Sequence, residues 1–280
     1  MSKGIYIGAN GIARKVKKAY IGVSNVARKI KKGYIGVGGV ARPFFSAEQK
    51  LEYYGTTTPL SEARNSLAGV SVGNYGLFGG GYIGRIVYPD TVEAYDTNLT
   101  RSTPTSLSAG RGYLAGVSVG NYGLFGGGGD SNYYNVVDAY DTNLTRSTPT
   151  SLLAARRYLA GVTVGNYGLF GGGEKKGYYY SVVEAYNTNL TRSTPTALSV
   201  ARRSLSGVTV GDYGLFGGGE EDDTYYNVVD AYDTNLTRST PTPLSVGRSY
   251  SAGVTVGNYG LFGGGSGTYF SDVVDVYQVV

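Results

Sequence analysis

The acidic run Glu220-Glu221-Asp222-Asp223 is the densest set of groups in this chain that could move protons or hold a cation. Paired carboxylates are what glycoside hydrolysis uses, and clustered loop oxygens are what calcium takes. Adjacent loop acids are ordinarily a solvated cluster, however, and nothing beside them supports catalysis. The 280 residues include no His and no Cys. That removes Ser-His-Asp triads, thiol nucleophiles, imidazole- and thiolate-bound metals, and disulfides. The expectation is no catalytic residue, no metal and no cofactor, with a carbohydrate-active enzyme the least favoured function.

What the chain has in abundance is Tyr (28) and Gly (46), with 25 Lys and Arg. Tyr supplies large contact area at low entropic cost, and Ser, Gly, Asn and Arg adapt around it, as in antibody-like surfaces. Such residues follow a repeated Arg at Asn65-Ser66, Gly112-Tyr113, Arg157-Tyr158, Arg203-Ser204 and Ser249-Tyr250. They also occupy segments of unequal length that bear Tyr82, Arg85, Asp130, Asn132, Lys175, Tyr178, Glu221, Asp222 and Tyr269. The candidate ligand-binding face joins those nine residues to Asn65, Tyr113, Arg157, Tyr158, Arg203 and Tyr250. Free drift of surface loops is the plain alternative. Tyr88, Tyr133, Tyr179, Tyr225 and Phe270 recur in every unit and read as packing residues.

The elements that must position these residues come from a repeat. Gly-Leu-Phe-Gly-Gly-Gly occurs five times, with its Phe at Phe78, Phe125, Phe170, Phe216 and Phe262, in steps of 47, 45, 46 and 46. That is a propeller-blade period. In the second unit Leu114–Val119 and Tyr122–Phe125 flank the turn pair Gly120-Asn121 as a hairpin. Asn135–Tyr140 is a third strand, and Leu144–Leu152, with Arg146 and Pro149, is a polar outer edge strand. The repeated Phe is the expected core between units. Leu51–Leu60 reads as an orphan fourth strand that pairs with the fifth unit and closes the ring.

Charge divides the chain in two. Residues 1–42 hold ten Lys and Arg and no acid, leaving 15 bases against 20 acids beyond them. Tyr6-Ile7-Gly8, Tyr20-Ile21-Gly22 and Tyr34-Ile35-Gly36 recur at 14-residue steps, each followed by a turn pair and Ala-Arg. Three short β-hairpins are expected, too small to bury much surface alone, so oligomerisation or docking on a partner should support them. Arg14, Lys15, Lys17, Lys18, Arg28, Lys29, Lys31, Lys32 and Arg42 are the anchoring cations. They would also attract phosphate, but with an acidic remainder an acidic protein assembly ranks above nucleic acid. The start, Met-Ser-Lys-Gly-Ile-Tyr, lacks the apolar stretch of a secretory signal, and no run is long enough to insert in a membrane.

The longer repeat resembles the kelch family in its Arg before the hairpin, glycine doublet, and acid preceding Tyr. These are Arg64/Glu93/Tyr95, Arg111/Asp138/Tyr140, Arg156/Glu184/Tyr186, Arg202/Asp230/Tyr232 and Arg248/Asp275/Tyr277. The family's outer-strand Trp is missing; the chain has none. The basic repeat resembles segments of tail-associated proteins of bacteriophages and prophages. Together these imply an all-β chain: a basic β-hairpin segment over 1–45, then a five-bladed kelch-like β-propeller over 46–280 whose N- and C-terminal strands share a blade. They imply a non-enzymatic structural or adhesion protein of a phage or phage-like particle, made in the bacterial cytoplasm and carried on the virion. Its partners would be other tail proteins and further copies of itself through the basic segment, and a host-surface glycan or protein through the loops. A virion decoration or scaffold protein, whose propeller only packs against neighbours, is the alternative.

Overall fold

In the computed structural model, the strands lying within residues 6–46, residue 53 and residues 55–279 are described. The chain forms two compact units, Met1–Thr56 and Thr57–Val280. No helix occurs among the described residues.

The first unit carries three antiparallel hairpins: Tyr6–Ala9 with Ile12–Lys15, Ala19–Val23 with Val26–Ile30, and Lys32–Val37 with Val40–Ser46. Each places a Tyr-Ile-Gly strand against an Ala-Arg strand, with Ile7 opposite Arg14, Ile21 opposite Arg28 and Ile35 opposite Arg42. The turn residues, and the anchoring positions Lys17, Lys18 and Lys31, lie outside the described residues.

The second unit repeats one meander. Its sheets run Ala68–Val72, Tyr75–Gly79, Val92–Tyr95, Arg101–Ser102; then Ala115–Val119, Tyr122–Gly126, Val137–Tyr140, Arg146–Ser147. Next come Ala160–Val164, Tyr167–Gly171, Val183–Asn187, Arg192–Ser193, and Ser206–Val210, Tyr213–Gly217, Val229–Tyr232, Arg238–Ser239. A fifth sheet has three strands, Ala252–Val256, Tyr259–Gly263 and Val274–Gln278. Alternation drives the pairing: in the second sheet Val117 lies opposite Leu124, and Leu124 opposite Ala139, all buried. The first strands of successive sheets are neighbours and line one central cavity of about 480 Å³.

One expectation about the outer strands needs correction. The fourth strand is only two residues long, because the chain then leaves its own sheet and is gripped by the next. Tyr186 donates its hydroxyl hydrogen to the Thr150 carbonyl at 2.7 Å, and Arg192 donates to the Ser151 carbonyl. The fifth sheet has three strands among the described residues; Leu51, Glu52 and Tyr54 of the expected closing strand lie outside them. Thr57–Ser61 makes the connector contacts seen at the other junctions: Tyr95 donates to the Thr58 carbonyl at 2.8 Å, and Ser61 N–H donates to Glu93 at 2.9 Å.

The Phe residues form the core between sheets as expected, with Phe125, Phe170, Phe216 and Phe262 fully buried and each edge-on to the Tyr of its own third strand. Phe78, in the first of the five repeated sheets, departs from the rule at 41% exposure.

Candidate functional site: the tyrosine and arginine rim

The repeated Arg and the acid two residues before the third-strand Tyr form buried ion pairs: Arg111–Asp138 at 2.8 Å, Arg202–Asp230 at 2.9 Å, and Arg156 donating to both oxygens of Glu184. Their charge is used up internally. The same Arg fixes the backbone that leads into the rim, since Arg111 also donates to the Ala109 and Phe125 carbonyls.

Two residues after each of these Arg stands a non-glycine residue in the left-handed region: Ser66 (φ 55), Tyr113 (φ 56), Tyr158 (φ 57), Ser204 (φ 56) and Tyr250 (φ 54). Left-handed backbone is uncommon for non-glycine residues, and a bulky side chain there marks strain held by its surroundings. A ladder holds these positions: N–H of Tyr113 donates to Ser66, Tyr158 to Tyr113, Ser204 to Tyr158 and Tyr250 to Ser204, at 2.9 to 3.0 Å. The strain thereby presents one side chain per sheet, two residues before its first strand.

The rings form a continuous aromatic series. Centroids of Tyr82 and Tyr88 are 5.1 Å apart, Tyr88 and Tyr113 6.5 Å, Tyr113 and Tyr158 4.6 Å, and Tyr158 and Tyr250 6.3 Å. Arg157 lies over Tyr113, Tyr133 and Tyr158 at 5.0 to 5.7 Å, and Arg203 over Tyr158 and Tyr179 at 5.7 Å. Each guanidinium is steered by one carboxylate, Arg157 by Glu174 at 2.7 Å and Arg203 by Glu220 at 3.0 Å. Burial is the largest single influence on Arg157 and opposes its charge, but the Glu174 hydrogen bond and charge together with the neighbouring phenols outweigh it and hold the guanidinium above its usual pKa; Glu220 with Tyr179 and Tyr250 does the same for Arg203. Burial, reinforced by Tyr113 and Tyr250 against the pull of Arg157, pushes the Tyr158 hydroxyl up to about 12. The Tyr158 phenol is therefore neutral at physiological pH.

The structure therefore gathers Tyr82, Tyr113, Arg157, Tyr158, Arg203 and Tyr250 from the expected face. Asn65 joins them by backbone exchange with Tyr82, at 2.8 and 3.0 Å. Asp130 and Asn132 make a local turn beside Tyr134. Asp222 accepts from the Tyr179 hydroxyl at 2.9 Å, tying one hairpin to the next. Arg85 and Tyr269 are exposed on outlying loops, and exposed Tyr178 pairs with Lys175 across a short hairpin. Tyr133 and Tyr179, read as packing residues, stand over the rim arginines. Phe270 is 94% exposed and packs on nothing. Ser66 and Ser204 complete the ladder; their place two residues after the repeated Arg was the available signal.

The acidic run does not act as a group. Glu220 is taken by Arg203 and by the Ser249 hydroxyl, Glu221 accepts from Tyr226, and Asp222 from Tyr179. Among the described residues no set of three or more His, Cys, Asp or Glu side chains is placed to hold a metal ion.

Meandering antiparallel sheets set side by side around a central cavity define an all-β fold of the β-propeller type. No protein-family model and no curated protein matches the chain. Among solved structures, that of YjhT is similar, with a TM-score of 0.62 over 75% of this chain and 75% of that chain, at 12% identity. The likeness is one of fold.

Proposed function

We propose that the second unit is a five-bladed, kelch-like propeller that works as a non-enzymatic binding module, taking its ligand at the tyrosine and arginine rim. The carrying observation is the ladder of left-handed residues, which spends backbone strain at the one place where Tyr113, Tyr158 and Tyr250 converge. Strain of this kind clusters at ligand sites. Tyrosine rings with hydroxyl edges, and Arg157 and Arg203 as fixed donors, suit a glycan: ring faces stack on sugar C–H groups while hydroxyls and guanidinium bond its oxygens.

In this reading the basic hairpin segment anchors the module in a phage or phage-like particle, and the rim faces the host surface. The support is the opposite charge of the two segments and the resemblance carried by Tyr-Ile-Gly and Ala-Arg in each hairpin. Glycan-array binding by the whole chain tests it. Binding to a defined set of surface glycans should be lost in Tyr113→Ala, Tyr158→Ala and Arg157→Ala; wild-type binding to none, or binding unchanged in all three variants, would reject the rim as the site.

A further inference from the structure

The left-handed ladder holds three tyrosines and two serines, and the serines are not alike. Ser66 donates its hydroxyl hydrogen to Oδ1 of the preceding Asn65 at 2.9 Å. Ser204 is preceded by Arg203, which has no acceptor to offer and is drawn to Glu220 at 3.0 Å. Glu220 is engaged at both oxygens, one by Arg203 and the other by the Ser249 hydroxyl at 2.8 Å. Ser204 is 7% exposed, and its Oγ has no hydrogen-bond partner among the described residues. Every other such buried atom there is a nitrogen of a guanidinium that already holds a carboxylate. Burying a hydroxyl without a partner is costly, and native structures seldom keep one without a use.

Tyr158 and Tyr250 stand on either side of Ser204 in the ladder. Ser204 N–H donates to the Tyr158 carbonyl and Tyr250 N–H to the Ser204 carbonyl, each at 2.9 Å. Their φ values, 57 and 54 against 56 for Ser204, send the three Cβ atoms off the backbone in one direction. Because serine is short, the two rings meet across it, edge to face with centroids 6.3 Å apart. The hydroxyl lies at the foot of that contact. Tyr250 is 56% exposed, and exposed side chains change rotamer within nanoseconds.

We propose that Ser204 is the specificity-determining residue of the rim: an uncharged sugar hydroxyl parts the rings of Tyr158 and Tyr250 and exchanges a hydrogen bond with Ser204 Oγ. The proposal rests on the rim reading and names the group that the rim selects. Charge favours a neutral group. Arg157 and Arg203 each already hold a carboxylate, and a slot walled by two phenol rings would strip the solvent from an ionised one. A sugar hydroxyl donates or accepts as serine does, while the sugar's C–H face stays against Tyr250. A site that keeps a buried polar group for a ligand hydroxyl rejects the analogue lacking it, because that group is then left unpaired.

Three measurements on the full chain test this. Ser204→Ala removes the hydroxyl and keeps the Cβ, so the melting temperature should equal or exceed that of the unaltered chain. Its affinity for the array glycan that the unaltered chain binds most tightly should fall about tenfold, as for one lost hydrogen bond. Among monodeoxy analogues of that glycan, one should bind the unaltered chain about tenfold more weakly than its parent, and Ser204→Ala should not tell the two apart. A structural serine would instead lower the melting temperature and leave both affinities alone, which would overturn the proposal. The chain has no Cys, so Ser204→Cys supplies a single thiol. Iodoacetamide should alkylate it about tenfold faster than the thiol of Ser206→Cys, a buried position whose hydroxyl is held by Ser251, and faster again with Tyr250→Ala added. Equal rates at 204 and 206 would overturn the proposal with no glycan involved. Unchanged affinity in Ser204→Ala where Tyr113→Ala abolishes binding would overturn it and leave the rim standing; no glycan binding by the unaltered chain would reject both.

Discussion

Arg111 and Asp138 are both fully buried and meet at 2.8 Å, in the heart of a sheet whose other inward groups are Val, Leu, Phe and Ala. The carboxylate also takes the Ser108 N–H and hydroxyl at 3.0 to 3.2 Å, and faces Arg146 at 3.6 Å. Ser108 lies on the connector arriving from the preceding sheet, so this one acid fastens the strand that feeds its own sheet. Removing one member strands the other. Asp138→Asn should cost about 3 to 5 kcal/mol, read as a fall in the urea midpoint at unchanged slope. At the third sheet, Arg156→Met combined with Glu184→Leu should cost far less than either change alone, since the uncompensated charge leaves with its partner. Additive losses would show that the pair is not coupled.

Gly126 is glycine because Phe170 is there. A Cβ at 126 would lie 2.8 Å from the ring of Phe170, which is fully buried and cannot retreat. Gly126→Ala should therefore cost about 1 to 3 kcal/mol by overpacking, and Phe170→Leu a similar amount through its cavity. In the double variant the smaller side chain makes room for the new methyl. Its loss should be smaller than the sum of the two by roughly 1 kcal/mol or more, as for residues in contact; strict additivity by thermal unfolding would contradict the packing.

The repeat made this junction legible before any coordinates: the period gave the sheets, and Gly-Leu-Phe-Gly gave both the strand and its core residue. The partner of each acid was less visible, because Arg111 and Asp138 are 27 residues apart and nothing local links them; only folding brings them together. The rim residues were identified by variability and composition, which located Tyr113, Tyr158 and Arg157 but not the left-handed backbone that presents them. Tyr133 and Tyr179 do pack, against the guanidinium groups of Arg157 and Arg203, because recurrence at a fixed position marks packing and site alike. Phe270 was misread because recurrence assumes the same neighbours on both sides, and the last sheet has a neighbour on one side only.

The left-handed rim positions invert an ordinary rule. In a strand or helix, glycine is less stable than alanine; at φ 57 Tyr158 stands where a Cβ is penalised. Tyr158→Gly and Tyr158→Ala both remove the ring from Arg157 and Arg203, which lie 5.0 and 5.7 Å from its centroid. Only the glycine also relieves the backbone. Tyr158→Gly should be more stable than Tyr158→Ala by about 1 kcal/mol, while glycan binding falls at least tenfold in both. Equal stabilities would mean that the ladder imposes no strain.

The titration of stability follows from an absent residue and a buried one. Without His, no side chain titrates near neutrality, so the melting temperature should be level from about pH 6 to 9. Above that the buried phenols take over. Burial first, then the neighbouring carboxylates Asp138, Glu184 and Asp230, raise Tyr140, Tyr186 and Tyr232 above the usual tyrosine value, and Tyr277 is pushed up to about 12. A raised folded pKa means that the folded state keeps its proton when the unfolded chain gives it up. Their stabilising effect is full below about pH 10 and is lost as pH climbs through the folded values. At the acid end the sign reverses for Glu93: burial raises its pKa, but hydrogen bonds from Arg64 and Ser61 outweigh this and lower it. Its contribution is present at neutral pH and disappears as pH falls through the lowered value. Calorimetric melting across this range, with phenolate absorbance followed in parallel, should show the alkaline fall accompanied by Tyr ionisation; Tyr186→Phe should reduce the steepness of that fall. An alkaline limb unaffected by Tyr186→Phe would place the titrating group elsewhere.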